Sequence, residues 1–101
     1  MLFMVIEHFR GEDARAVYQR FQEHGRMAPD DLKVHGSWIE AGYARCFQIM
    51  ECEDLATLQE WVLNWNDLAR FEIVPVLSSK DTSEIVYRRL EQDTSLGTAT
   101  D

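Results

Sequence analysis

A chain of 101 residues with a formal net charge of -8, from 18 Asp plus Glu against 10 Lys plus Arg, makes one domain of common size. A hydrophobic share of 46% and an aromatic share of 11% exclude a disordered segment. The acid excess, without clustered basic residues, excludes nucleic acid and anionic membrane surfaces as partners, and the longest apolar run, Met1–Ile6, is far too short to cross a bilayer.

No basic segment precedes that run and no small-residue cleavage site follows it, so a cytoplasmic location is expected. Met1–Phe9 reads as the first strand. Leu2, Met4, Ile6 and His8 fall on one side, and Met1, Phe3, Val5, Glu7 and Phe9 on the other. Both sides are mainly apolar, which marks a central strand whose two faces both need cover. Arg10–Asp13 turns the chain into a helix with a stripe of Ala14, Val17, Tyr18 and Phe21. Gly25 is its expected terminator, and Pro29 bars continuation.

Leu32–Glu40 reads as the second strand, with Val34, Gly36 and Trp38 on one side and His35, Ser37 and Ile39 on the other. Ala41-Gly42 gives a tight reversal in which Gly42 is expected to supply the positive φ. Tyr43–Cys52 returns as a third strand, again apolar on both sides. Asp54 is the expected N-cap of a helix with a stripe of Leu55, Leu58, Trp61, Val62, Trp65 and Leu68. Phe71–Leu77 is a fourth strand, and Pro75 assigns it to an edge or a bulge. Ser79–Gln92 is a third helix with a partial stripe of Ile85, Val86, Arg89 and Leu90. The expected domain is therefore 1–92, with 93–101 as a flexible tail.

The order β-α-β-β-α-β followed by a helix is the split βαβ of ferredoxin-like α+β folds. Right-handed crossovers place strands one and three in the middle and two and four at the edges. Two helices cover only one face of such a sheet. The large side chains on the other face would then form an exposed apolar patch of a kind monomers rarely leave open. The expectation is a homodimer with the two sheets packed face to face.

Cys46 and Cys52 share a strand and would lie roughly 20 Å apart, beyond disulfide reach, so buried reduced thiols are expected. No metal-ligand spacing, P-loop, G-x-G-x-x-G or G-x-S-x-G occurs, so neither a metal nor a cofactor is expected. Catalytic residues are not identifiable; the candidates for a ligand pocket are five. His8 ends the first strand, where it would either face a pocket mouth or bond to backbone or water. Tyr18 is either core or a hydroxyl offered to a ligand. Trp38 and Trp65, with Trp61 a helical turn from the latter, are either core or flat surfaces for a planar molecule. Arg26, just past a helix, would pair with an anionic ligand or with a carboxylate such as Asp30.

The segments Met1–Glu7, Gly25–Pro29, Ser37-Trp38, Arg45–Glu51 and Phe71–Val76 resemble a family of short bacterial proteins of unknown function. That family is similar to the dimeric α+β barrel superfamily, which includes antibiotic-biosynthesis monooxygenases, muconolactone isomerases, haem-degrading monooxygenases and YCII-related proteins. The resemblance spans roughly residues 1–80 and implies a ferredoxin-like subunit, a two-fold dimer and a pocket between helices and sheet. The Asn, Trp and His set of the haem-degrading members and the His–Asp pair of the YCII-related proteins have no counterpart here.

Two functions follow as expectations. One is binding of a small hydrophobic or aromatic molecule in that pocket, with a cofactor-independent oxygenase or isomerase reaction as its catalytic form. The other is a non-catalytic dimeric scaffold or interaction protein that works through its outer faces.

Overall fold

An extended chain sends successive side chains to opposite faces. In the computed structural model, which describes residues 1–100 and the side chains of 1–94, β1 (Leu2–Phe9) does so without a break. Phe3, Val5, Glu7 and Phe9 are buried, whereas Leu2, Met4, Ile6 and His8 are only half covered. β3 (Arg45–Glu51) repeats the pattern, with Cys46, Gln48 and Met50 inside. The sheet is antiparallel in the order β2-β3-β1-β4, with β2 at Lys33–Ile39 and β4 at Ala69–Val76. The two doubly apolar strands are thus central and the strand holding Pro75 is an edge, as expected. This is a small α+β domain compatible with a ferredoxin-like fold.

α1 (Arg15–His24) and α2 (Leu55–Leu63) lie on the inner face. α1 ends where Gly25, at φ 70°, turns its amide back to the Phe21 carbonyl at 2.7 Å. α2 begins where Asp54 accepts the Ala56 amide at 2.9 Å. Its stripe drives Leu58 and Trp61 against Phe3, Val5, Leu32 and Met50 to form the main core, and Trp65 joins them from the turns after the helix, which ends before the expected Trp65 and Leu68. A smaller cluster of Phe9, Ala14, Cys46 and Ala69 closes the other end.

Two local expectations are corrected. The reversal between β2 and β3 closes by the Tyr43 amide on the Glu40 carbonyl, and Tyr43, not Gly42, takes the left-handed conformation at φ 66°. A bulge between Val34 and Gly36 breaks the alternation of β2. Val34 therefore joins Ser37 and Ile39 on the inner face, opposite Met50, Gln48 and Cys46, while Gly36 and Trp38 pair with Ile49 and Phe47 on the outer one.

The outer face has an apolar centre of Leu2, Met4, Ile6, Phe47, Ile49 and Val74. Charged groups stand at its ends: His8 against Glu72, and His35 against Glu51. Trp38 lies across this face with 60% of its surface exposed. Gly36 makes room for it, since a Cβ there would stand 2.4 Å from Trp38 Cη2.

α3 (Ser79–Thr100) starts on Ser78, whose Oγ accepts the Asp81 amide. It runs past the Gln92 end that the fading stripe suggests, because each further residue adds a hydrogen bond to a helix already nucleated. Of the expected tail, residue 101 lies outside the described residues. α3 has 22 residues, about 33 Å of helix, and it stands away from the body. The radius of gyration is accordingly 19.0 Å, against about 13 Å for a compact chain of this length. Ile85, Val86, Tyr87 and Leu90 on it are all exposed.

Candidate functional site

The inner face is not closed along its whole length. α1 has no fully buried residue, and its stripe residues Tyr18 and Phe21 remain 49% and 41% exposed. Opposite them the sheet presents Glu7, Ser37, Cys46 and Gln48, with Ile39 as its one large apolar group. Helix and sheet therefore stand apart here and leave a cleft of about 240 Å³, walled by Tyr18, Phe21, Trp61 and Trp65.

The segment between α1 and β2 sets the cleft's far wall. Both indoles donate to one acceptor, the Arg26 carbonyl, Trp61 at 3.0 Å and Trp65 at 2.9 Å. Asn64 donates to the Met27 carbonyl and Thr57 to the Asp31 carboxylate, so α2 grips this segment at both ends. Trp61 also meets Phe71 edge to face, 5.5 Å between centroids. Arg20, over the Trp65 ring, makes a two-pronged bond to Asp67 and one to the Asn64 carbonyl, which ties α1 to the end of α2.

The floor is polar and buried. Gln48 Nε2 donates to Glu7 Oε2 at 2.6 Å. Gln48 Oε1 has no partner, the only such buried side-chain atom among the described residues. Burial pushes the Glu7 carboxyl above its ordinary range, against the pull of its bonds to Gln48 and Cys46 and of the Arg26 charge. The Cys46 thiol, 3.5 Å from Ser37 Oγ, is pushed up to about 12 by burial and is protonated at neutral pH. Partial burial raises the Tyr18 phenol as well. Arg26 stacks over Phe21 at 5.5 Å and forms no ion pair with Asp30 or with any other described carboxylate.

Of the sequence candidates, Tyr18, Arg26 and Trp65 meet in this cleft, with Trp61 beside them. His8 and Trp38 lie on the opposite face of the sheet, His8 bonded to Glu72. Glu7, Gln48 and Cys46 also line the cleft and are not among the residues expected from the sequence. Their signal was present: Glu7 is a carboxylate on the inward side of a central strand, and Gln48 is the polar member of its neighbour's inward side. Both cysteines are buried and free, as expected. Among the described residues no three His, Cys, Asp or Glu side chains group as metal ligands, and no helix is long and apolar enough to cross a membrane.

A four-stranded antiparallel sheet with helices on one face, and a partly open cleft with a polar floor between them, defines a small α+β domain. Residues 1–90 match a domain of unknown function (DUF3303), and the chain belongs to that family. No curated protein and no solved structure matches the chain.

Proposed function

We propose that this protein is a homodimer, joined through the outer faces of its sheets, whose subunits each bind a small aromatic molecule between α1, α2 and the sheet. One observation carries the binding reading: an aromatic-walled cleft ends on an unmatched cation, Arg26, and an unmatched buried acceptor, Gln48 Oε1. A protein that used this region only for packing would have no reason to leave a buried acceptor without a partner. The volume suits one substituted ring, since a dry cavity of about 150 Å³ already admits benzene. The resemblance read from the sequence to dimeric α+β barrel proteins agrees with the dimer and brings cofactor-independent oxygenation or isomerisation into view as reaction classes. The apolar centre and charged ends of the outer face suit a partner of the same kind, because interfaces have an apolar core within a polar rim.

The test is thermal midpoint and calorimetry during titration with small aromatic compounds such as indole and benzyl alcohol, with tryptophan emission read for benzyl alcohol, which does not emit in that range. Trp61 and Trp65 line the cleft, so a saturable change in emission is expected, together with a rise in midpoint. No saturable response to any ring compound up to its solubility would overturn the binding reading.

The scaffold reading has one observation in its favour. α3 projects from the body with Ile85, Val86 and Leu90 exposed, as an arm for contacting another chain would. It does not account for the polar floor of the cleft.

A further inference from the structure

We infer that the cleft takes a ring compound bearing an ionisable hydroxyl, a phenol or an enol, and that Glu7 removes the hydroxyl proton while Arg26 holds the resulting oxyanion. This inference rests on the binding reading above and specifies the chemistry of that same site. The polar end of the cleft has two unlike parts. One is an acceptor edge made by the Glu7 carboxylate and Gln48 Oε1, which asks for a donor from the ligand. The other is the Arg26 guanidinium, which asks for a negative or partly negative oxygen. A hydroxyl on a ring answers both, first as donor and then, once ionised, as anion.

The step balances within the site. The ligand O–H bond breaks, its electron pair stays on the ligand oxygen, and the proton passes to Glu7 Oε1. Gln48 Nε2 continues to hold Oε2, so the proton is taken at the carboxyl oxygen that Gln48 does not hold. One negative charge moves from Glu7 to the ligand, and the total charge of the site is unchanged. Burial, which destabilises ionised Glu7, makes it a stronger base than an exposed glutamate and favours the transfer. The groups that face Glu7 are Gln48, Cys46, Arg26 and, from α1, the Tyr18 phenol, and of these only Arg26 is charged, with Cys46 a neutral thiol. The product, an activated phenolate or enolate in an apolar enclosure, is the species that isomerisation or reaction with oxygen would consume.

The probe is 4-nitrophenol, whose phenolate absorbs in the visible, added to the full chain one pH unit below the probe's own pKa. Binding is read by calorimetry and ionisation by absorbance. Free probe is then about one tenth phenolate, and the bound probe is expected to be mostly phenolate, a rise of roughly fivefold or more. In Glu7→Gln the amide takes no proton, so the proton of the bound phenolate passes to the buffer; calorimetry in two buffers of unlike ionisation enthalpy is expected to read release of about one proton that the unaltered protein retains, and equal release by both would overturn the role of Glu7. Arg26→Gln is expected to lose the phenolate band, while its backbone carbonyl still serves both indoles. Binding of the phenol form by the unaltered protein would overturn the inference and leave the pocket reading standing. No binding of the probe, of indole or of benzyl alcohol would overturn both.

Discussion

The Arg26 carbonyl is the single point on which the cleft's far wall hangs, and replacing its two donors one at a time and then together tests that. In Trp61→Phe or Trp65→Phe alone, the carbonyl keeps one indole donor, at 2.9 or 3.0 Å. Each single variant therefore loses one net hydrogen bond and some packing, about 1–2 kcal/mol. The double variant loses both donors and leaves a part-buried carbonyl without a partner, which adds a desolvation penalty of roughly 1 kcal/mol or more. Its destabilisation should exceed the sum of the singles by about that amount. Urea unfolding followed by far-ultraviolet circular dichroism measures all four proteins without relying on tryptophan emission. Protein concentration must be held fixed, because association would otherwise shift the midpoints. Additivity within about 0.5 kcal/mol would refute the shared acceptor, and with it the account of how Arg26 is positioned.

Three further outcomes follow from the same structure. The raised Glu7 carboxyl means that the folded chain retains a proton the unfolded chain has already released, so stability from this group is full below the ordinary carboxyl range and is lost as pH rises through the folded value. Thermal melts from about pH 4 to about pH 8 should show Glu7→Gln gaining on the unaltered protein as pH increases, and a gap that is constant or shrinks would contradict the burial argument. Cys46, pushed up to about 12, and Cys52, also raised by burial, should resist alkylation at mildly alkaline pH until the chain unfolds; rapid labelling of either thiol in the native protein would show it to be accessible. Asp54→Ala should lower stability by about 1 kcal/mol by removing the cap of α2, and an unchanged urea midpoint would show that the bond to Ala56 contributes nothing.

The sheet was legible because its signals are strong and local. Apolar residues on both sides of Met1–Phe9 and Tyr43–Cys52, with Pro75 as an edge marker, are enough for the strand order once handedness is applied. The caps at Gly25 and Asp54 were legible for the same reason. What escaped depended on geometry that a spacing rule does not contain. The bulge after Val34 moved His35 out of the alternation, and the turn placed its positive φ on Tyr43 although a glycine stood next to it. The site was half legible. Tyr18, Arg26 and Trp65 were singled out for their chemistry and do meet, whereas His8 attracted attention by residue type and faces the other way. Glu7 was passed over because a strand residue reads first as an in-or-out assignment. Its partner Gln48 lies 41 residues away in sequence, so nothing local announced the pair.

A single subunit covers only one side of its sheet, and in the proposed dimer a second copy of the chain covers the other. Sedimentation equilibrium of the full chain at micromolar concentration addresses it directly. The account predicts a species of twice 11.8 kDa, and Ile6→Asp, which puts a charge in the middle of the bare face, should shift the population to single chains. A species of 11.8 kDa alone for the unaltered protein would contradict it.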